Sequence, residues 1–263
     1  MPDNKPLQIL PLRAFKDNYI WALRRGGVVA IVDPGDAQPV LDYLAAEGLR
    51  LAAILATHHH PDHVGGIAEL LQTHPVPVYG PLGEPIAELS HRVKGGDRVE
   101  LAELGVALDV LDIPGHTRAH IGYYGANILF CGDTLFACGC GRVFEGTPRQ
   151  LHASLEKLMA LPDDTQVYCA HEYTLSNIAF AKAVEPDNAA LAERERRETT
   201  LRQNDRPTLP STIRREKDTN PFVRVTHPDV IAAANRHLGH SAGGRIDDPA
   251  AVFTALREWK NRF

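Results

Sequence analysis

The chain has 263 residues, 44% of them apolar, enough for one large core plus a smaller appended unit, so two domains are expected. A net charge of −5 argues against broad nucleic-acid binding, which normally shows as a basic surface, and therefore against a nuclease. There is no 18-residue apolar stretch, the start MPDNKPLQIL lacks the regions of a signal peptide, and the four cysteines include no CxxC pair; these features predict a cytoplasmic protein with reduced thiols and no membrane partner.

In chain order, the apolar run Val28 to Val32 predicts a strand closed by the turn Asp33-Pro34-Gly35, followed by a helix over Pro39 to Glu47. A second strand, Leu51 to Ala56, runs into THHHPDH, with a helix over Gly65 to Thr73 behind it. A strand over Val76 to Tyr79, a helix over Glu84 to Ser90 and a strand over Val106 to Ile113 lead to Pro-Gly-His116-Thr. A strand over Asn127 to Cys131 meets Gly-Asp133-Thr, and a helix over Pro148 to Leu161 precedes a strand over Thr165 to Ala170 that ends at His171-Glu172.

Near Glu172 the alternation of strands and helices stops. Helices are expected over Leu175 to Val184, Asn188 to Asn204, Pro228 to Leu238 and Pro249 to Lys260. The three prolines of Asp205 to Pro221 read as a long ordered connector. The alternating charges of Glu193 to Glu198 read as a solvated helix face without a function.

The chemistry begins with His58, His60, Asp62 and His63, four metal-ligand side chains within six positions. Neutral imidazole and carboxylate suit zinc, iron or manganese, and without thiolates the pattern is that of an open catalytic site rather than a structural finger. An isolated histidine is usually a surface or core residue and a polyhistidine run is often an expression tag, but this cluster is internal, interrupted by Pro-Asp and preceded by a strand. His116, Asp133 and His171 also stand at strand ends, where loops of α/β sheets converge on ligands. Seven donors exceed one tetrahedral or five-coordinate shell. Two ions can use them if one carboxylate is shared, and Asp133 is the candidate bridge.

THHHPDH, PGHT, CGDTLF and CAHEYT together resemble the metallo-β-lactamase superfamily, and within it the glyoxalase II group, the hydroxyacylglutathione hydrolases. HxHxDH carries the superfamily resemblance. The narrower one rests on ACGCGRVFEG (Ala137 to Gly146), HEYT, PTLPST, NPFVRV and the terminal LREWKNRF. The resemblance implies an α/β fold: an αββα sandwich over residues 1–172 as catalytic domain, and a smaller α-helical, substrate-binding domain over 173–263. It places His58, His60 and His116 on one divalent ion and Asp62, His63 and His171 on another, with Asp133 shared and His59 outside the set. Zinc is the first expectation for both sites, with iron or manganese as alternatives.

The implied reaction is hydrolysis of S-D-lactoylglutathione to D-lactate and glutathione, the second step of methylglyoxal detoxification, by a monomer whose partner is the small thioester. A hydroxide held between two cations is a nucleophile at neutral pH and a thiolate leaves readily, so neither a serine nor a strong general acid is needed. Asp62 and Asp133 are the expected catalytic carboxylates, Asp62 orienting the hydroxide as well as binding metal. Glutathione carboxylates call for fixed cations, and the resemblance assigns Arg142, Arg257 and Lys260 to them, with Tyr173 as a further substrate contact. By themselves, Arg257 and Lys260 read as a basic pair serving the dipole at a helix C-terminus.

Three positions depart from common members of the group: Arg142 for Lys, Phe144 for Tyr, and Ala119 for Gly in HTRAH. Phe144 supplies no hydroxyl, so substrate affinity or acyl preference is expected to differ. His120 is expected to support the site rather than bind metal. The rival expectation is a mononuclear iron persulfide dioxygenase or another hydrolase of the same fold. The dioxygenase would not need Asp62, His63 and His171 as a second complete site.

Overall fold

A computed structural model describes residues 5–240 and 244–263, which leaves the first four residues of MPDNKPLQIL outside. The chain forms two compact units. One comprises the residues up to Ile113 together with Arg118–Gly132 and Tyr168–His171; the other comprises Pro114–Thr117, Asp133–Val167 and Glu172–Phe263.

In the first unit, β1 (Gln8–Ala14), β2 (Asn18–Arg25), β3 (Val28–Val32), β4 (Arg50–Leu55), β5 (Val78–Pro81) and β6 (His91–Val93) form one sheet in that order. β1, β2 and β3 are antiparallel neighbours, and β3 through β6 run parallel. A parallel strand covered on both faces needs continuous apolar sequence, which VVAIV of β3 supplies. Helices α1 (Gln38–Glu47), α2 (Pro61–Val64) and α3 (Ile67–Thr73) lie in the connections between the parallel strands. Val40, Leu44, Ile67 and Leu70 pack with Ile20, Val29, Ile31 and Ile54 in one core. Pro11, which cannot donate to a ladder, is tolerated because β1 is an edge.

A second ladder in this unit runs through β7 (Arg98–Leu101), β8 (Val106–Asp112), β9 (Ile121–Gly125) and β10 (Ile128–Gly132), all antiparallel. The β9–β10 turn holds Ala126 at φ 49° and Asn127 at φ 62°, the left-handed pair of a tight hairpin. The Tyr123 hydroxyl donates to the Ala56 carbonyl at 2.9 Å, tying β9 to the end of the first sheet.

The second unit holds the small hairpin β11 (Leu135–Phe136) and β12 (Gly139–Cys140), then α4 (Pro148–Met159), opened by a Thr147–Gln150 capping box. Strand β13 (Gln166–Cys169) begins here, Gln166 and Val167 pairing antiparallel with β14 (Ser211–Thr212). The remaining helices are α5 (Thr174–Val184), α6 (Ala189–Gln203), α7 (Ile213–Thr219), α8 (Pro228–Leu238) and α9 (Pro249–Arg262). Their aromatic core stacks Phe180 on Phe222 at 5.7 Å and sets Trp259 edge-on to Phe180 at 5.3 Å.

Several sequence expectations need correction. Glu84–Ser90 is a turn segment, in which Ile86 N donates to Glu84 O at 2.9 Å and the Glu84 side chain accepts from the Ala119 N–H at 3.0 Å. The expected connector after Asp205 contains β14 and α7, whose N-cap Thr212 accepts from Arg215 N. The charged run in α6 is not wholly solvated: Arg194 and Glu198 are buried, and Arg194 pairs with Glu216 at 2.8 Å. All four cysteines are buried, in keeping with the structural role expected for them, and burial pushes the Cys138 thiol up to about 12. No helix among the described residues is long and apolar enough to cross a membrane.

Candidate metal centre

In the first unit, β4 delivers Thr57 and the histidine cluster, and Asp33 anchors them. Asp33 stands at φ 53° just after β3. Its carboxylate accepts from the Thr57 N–H at 2.8 Å and from the Thr57 hydroxyl at 2.8 Å, and it lies 3.1 Å from Nδ1 of His63. Pro61 then opens α2 with His60 as N-cap, which turns Asp62 and His63 back toward the strand end. Gly35 of the Asp-Pro-Gly turn is required here, since a Cβ would collide with the Asp62 carbonyl. His120 stacks on His58 at 4.6 Å with the rings 19° apart, a supporting contact inside the buried shell.

His171 arrives at the end of β13, where it bridges to Asn18 at the start of β2 and Tyr19 N donates to Ala170 O at 2.7 Å. Its Nδ1 lies 2.9 Å from Asp17, and Asn18 Nδ2 donates to Asp62 Oδ2 at 3.0 Å. The Nε2 atoms of His63 and His171 lie 3.6 and 3.5 Å from Asp62 Oδ2, and donor atoms of these three residues fall within 4.8 Å of one another. Asp33 and Asp17 favour the Nδ1–H tautomers, so both rings turn Nε2 lone pairs toward the Asp62 carboxylate, an arrangement that suits a cation. His58 Nε2 and His60 Nδ1 are 3.0 Å apart, another convergence of ring nitrogens that a cation would satisfy. His59 makes a short contact with Glu84.

In the second unit, His116 and Asp133 repeat the pattern. His116 Nε2 lies 3.4 Å from Asp133 Oδ2, while Nδ1 donates to the Arg142 carbonyl at 2.8 Å. Gly141 is the residue that permits this approach, because a Cβ there would meet the Asp133 carbonyl. Beside the pair opens a cavity of about 710 Å³, whose lining includes Arg142, Phe144, Tyr173, Arg257 and Lys260. The Phe144 ring is 61% exposed and 5.2 Å from His116. Lys260 donates to Ser176 O at 3.0 Å, and burial, aided by Arg257, pushes its ammonium down to about 8. Arg257 is only 4% exposed and donates from Nη1 to Cys140 O at 2.8 Å, so part of its fork is committed to backbone.

Within one unit, then, the structure gathers His58, His60, Asp62, His63 and His171, and within the other His116, Asp133, Arg142, Tyr173, Arg257 and Lys260. The sequence reading missed Asp17, Asn18 and Glu84, none of which belongs to a recognisable motif. Glu172 of HEYT turns out to be an anchor, its carboxylate accepting from Thr208 N at 2.9 Å and from the Thr208 hydroxyl at 2.6 Å.

The metallo-beta-lactamase superfamily model matches residues 15–171, and solved structures agree. The BLEG-1 B3 metallo-beta-lactamase is 25% identical with a TM-score of 0.61, covering 83% of this chain and 99% of that one. ETHE1 from Myxococcus xanthus, at 23% identity and TM-score 0.65 over 95% and 99% of the two chains, shares the fold. The architecture is thus the α/β fold of that superfamily with a C-terminal helical region.

Residues 172–263 match the model of the hydroxyacylglutathione hydrolase C-terminus. The hydroxyacylglutathione hydrolase of Nitrosomonas eutropha is 53% identical over 258 residues, 98% of this chain and 99% of that protein. That of Vibrio parahaemolyticus is 54% identical over 259 residues, 98% and 100%. The chain belongs to the hydroxyacylglutathione hydrolase family.

Proposed function

We propose that this chain is a metal-dependent thioesterase that hydrolyses S-2-hydroxyacylglutathione, S-D-lactoylglutathione foremost, to a 2-hydroxy acid and glutathione, the second step of methylglyoxal detoxification. The observation that carries the reading is the 710 Å³ cavity with His116 and Asp133 in its wall and the cations of Arg142, Arg257 and Lys260 lining it. Ligand chemistry and carboxylate recognition share one space there.

The ligand division implied by the resemblance belongs to this proposal: His58, His60 and His116 on one ion, Asp62, His63 and His171 on the other, Asp133 on both. Two divalent cations, zinc first and iron or manganese as alternatives, would supply water ionised near neutral pH and polarise the thioester carbonyl. Asp62, held by Asn18, orients the attacking water. The water gives up one proton as its oxygen adds to the carbonyl carbon, the C–S bond breaks, glutathione leaves as thiolate, and the remaining proton passes to solvent as the acid ionises to its carboxylate. Arg142, Arg257 and Lys260 hold the glutathione carboxylates, and Tyr173 is a further substrate contact. Residues 1–172 then carry the chemistry and, through Arg142, part of the substrate, and 173–263 the rest of it, in a cytoplasmic monomer that engages neither nucleic acid nor membrane.

Elemental analysis alongside a lactoylglutathione hydrolysis assay tests the proposal, with two ions per chain and turnover expected. Asp133→Ala should abolish turnover and lower bound metal together. Near-normal activity in that variant would remove Asp133 from the reaction.

A further inference from the structure

His116 is held by a loop that is itself held by the C-terminal helices. Arg142 O accepts from the His116 ring at 2.8 Å, and the backbone N–H groups of Phe144 and Glu145 both donate to His116 O at 3.3 Å. The segment leading into this loop has little regular pairing beyond the two-residue strands β11 and β12. Side chains of the helical segment capture it instead. Asn177 Nδ2 donates to Ala137 O at 3.1 Å, Asn220 Nδ2 to Gly139 O at 2.9 Å, and Arg257 Nη1 to Cys140 O at 2.8 Å and Gly141 O at 3.4 Å.

Of these anchors, Arg257 acts nearest the histidine. The two carbonyls it holds precede that of Arg142, the acceptor for His116 Nδ1. The guanidinium lies 5.0 Å over the Phe222 ring and is buried, so its planar fork has little freedom to follow a moving loop. Rotation of the peptides at Cys140 or Gly141 would carry the Arg142 carbonyl away from the ring. The orientation of a ligating imidazole follows its outer hydrogen-bond partner, and loss of such a partner typically costs about 10- to 100-fold in metal affinity.

We infer that Arg257 is a positioning residue for His116: from α9 it fixes the Cys140–Gly141 backbone, whose neighbouring carbonyl aims the imidazole at its metal. This adds to any contact Arg257 makes with substrate, and it rests on the reading of His116 as a ligand.

The test compares Arg257→Met, Arg257→Lys and Arg142→Ala with the parent protein. Zinc affinity is measured by chelator competition, the cobalt-substituted protein by its visible absorption bands, and turnover as separate kcat and KM. Arg257→Met should lose about 10-fold in zinc affinity, shift the cobalt bands and lower kcat as well as raise KM. Arg257→Lys, which keeps one donor, should recover part of each loss. Arg142→Ala keeps the carbonyl and should raise KM while zinc affinity and cobalt bands stay as in the parent.

Parent-like zinc affinity and cobalt bands in Arg257→Met, with only KM raised, would overturn the inference. Should that variant fail to fold, the same parent-like result in Arg257→Lys would overturn it. A parent protein that binds no metal would instead sink the reading of His116 on which the inference stands.

Discussion

Asp17 Oδ1 lies 2.9 Å from Nδ1 of His171, across 154 positions of sequence. The carboxylate fixes the ring's tautomer and direction, so that Nε2 faces Asp62. Asp17→Ala should therefore weaken metal binding by about 10- to 100-fold. Asp17→Asn, which keeps an acceptor oxygen, should lose less. Chelator competition on the purified variants decides the matter, and equal affinities in all three proteins would leave His171 oriented by something else.

Lys260 supplies a pH dependence. Its ammonium is pushed down to about 8 by burial and by Arg257, so it is charged below that pH and neutral above it. If it holds a glutathione carboxylate, KM for lactoylglutathione should be flat below pH 8 and climb above it. Lys260→Met should start with a higher KM and lose that climb. Profiles of KM from pH 6.5 to about 9.5 for the two proteins give the comparison, and parallel profiles would detach Lys260 from the substrate.

Glu216 is fully buried and serves four partners: Cys138 N at 2.7 Å, Arg194 Nη2 at 2.8 Å, Asn220 Nδ2 at 3.0 Å and, in a short contact, the Ser211 hydroxyl. Glu216→Ala would strand the buried Arg194 charge. Breaking one side of such a pair costs about 3 to 5 kcal/mol. Urea denaturation should show the drop, and Glu216→Gln, which keeps an acceptor, should lose less. A midpoint unchanged in the alanine variant would mean that Glu198 alone balances Arg194.

Phe144 offers an exposed ring 5.2 Å from His116 but no hydroxyl. Phe144→Tyr should lower KM for the glutathione thioester by roughly 2- to 10-fold, the effect of one modest hydrogen bond, with kcat little changed. Steady-state kinetics on the two proteins measure this. A KM that does not move would place the ring outside substrate reach.

The legible parts of the sequence were those with a local signature. Val28 to Val32 is a strand to the residue, because five consecutive apolar side chains suit only a buried ladder. The cluster of histidine and aspartate side chains at strand ends is equally plain in the sequence. β1 and β2 went unread: Pro11 and Arg13 interrupt the first, and in NYIWALRR the alternation disappears because the strand is buried on both faces except at its end. The helix expected over Glu84–Ser90 failed because a tertiary bond outcompeted propensity. The burial of Arg194 and Glu198 is not legible in the charge pattern, because the Arg194 partner, Glu216, lies in a connector expected to have no helix. In the site, Asp17 and Asn18 could not be read because a loop carboxylate or amide has no periodicity; only the folded chain brings them to His171 and Asp62.

Asn177 of α5, Asn220 just past the end of α7 and Arg257 of α9 reach the carbonyls of residues 137 to 141. A graft of residues 172–263 onto another scaffold would therefore find nothing to grip unless the 133–141 stretch travelled with it. Likewise, a core trimmed of those helices would keep Asp133 in its chain but lose the fastenings of the loop that follows. For anyone recombining proteins of this type, the exchangeable piece is the helical tail together with Pro114–Thr117 and Asp133–Val167, the rest of its compact unit.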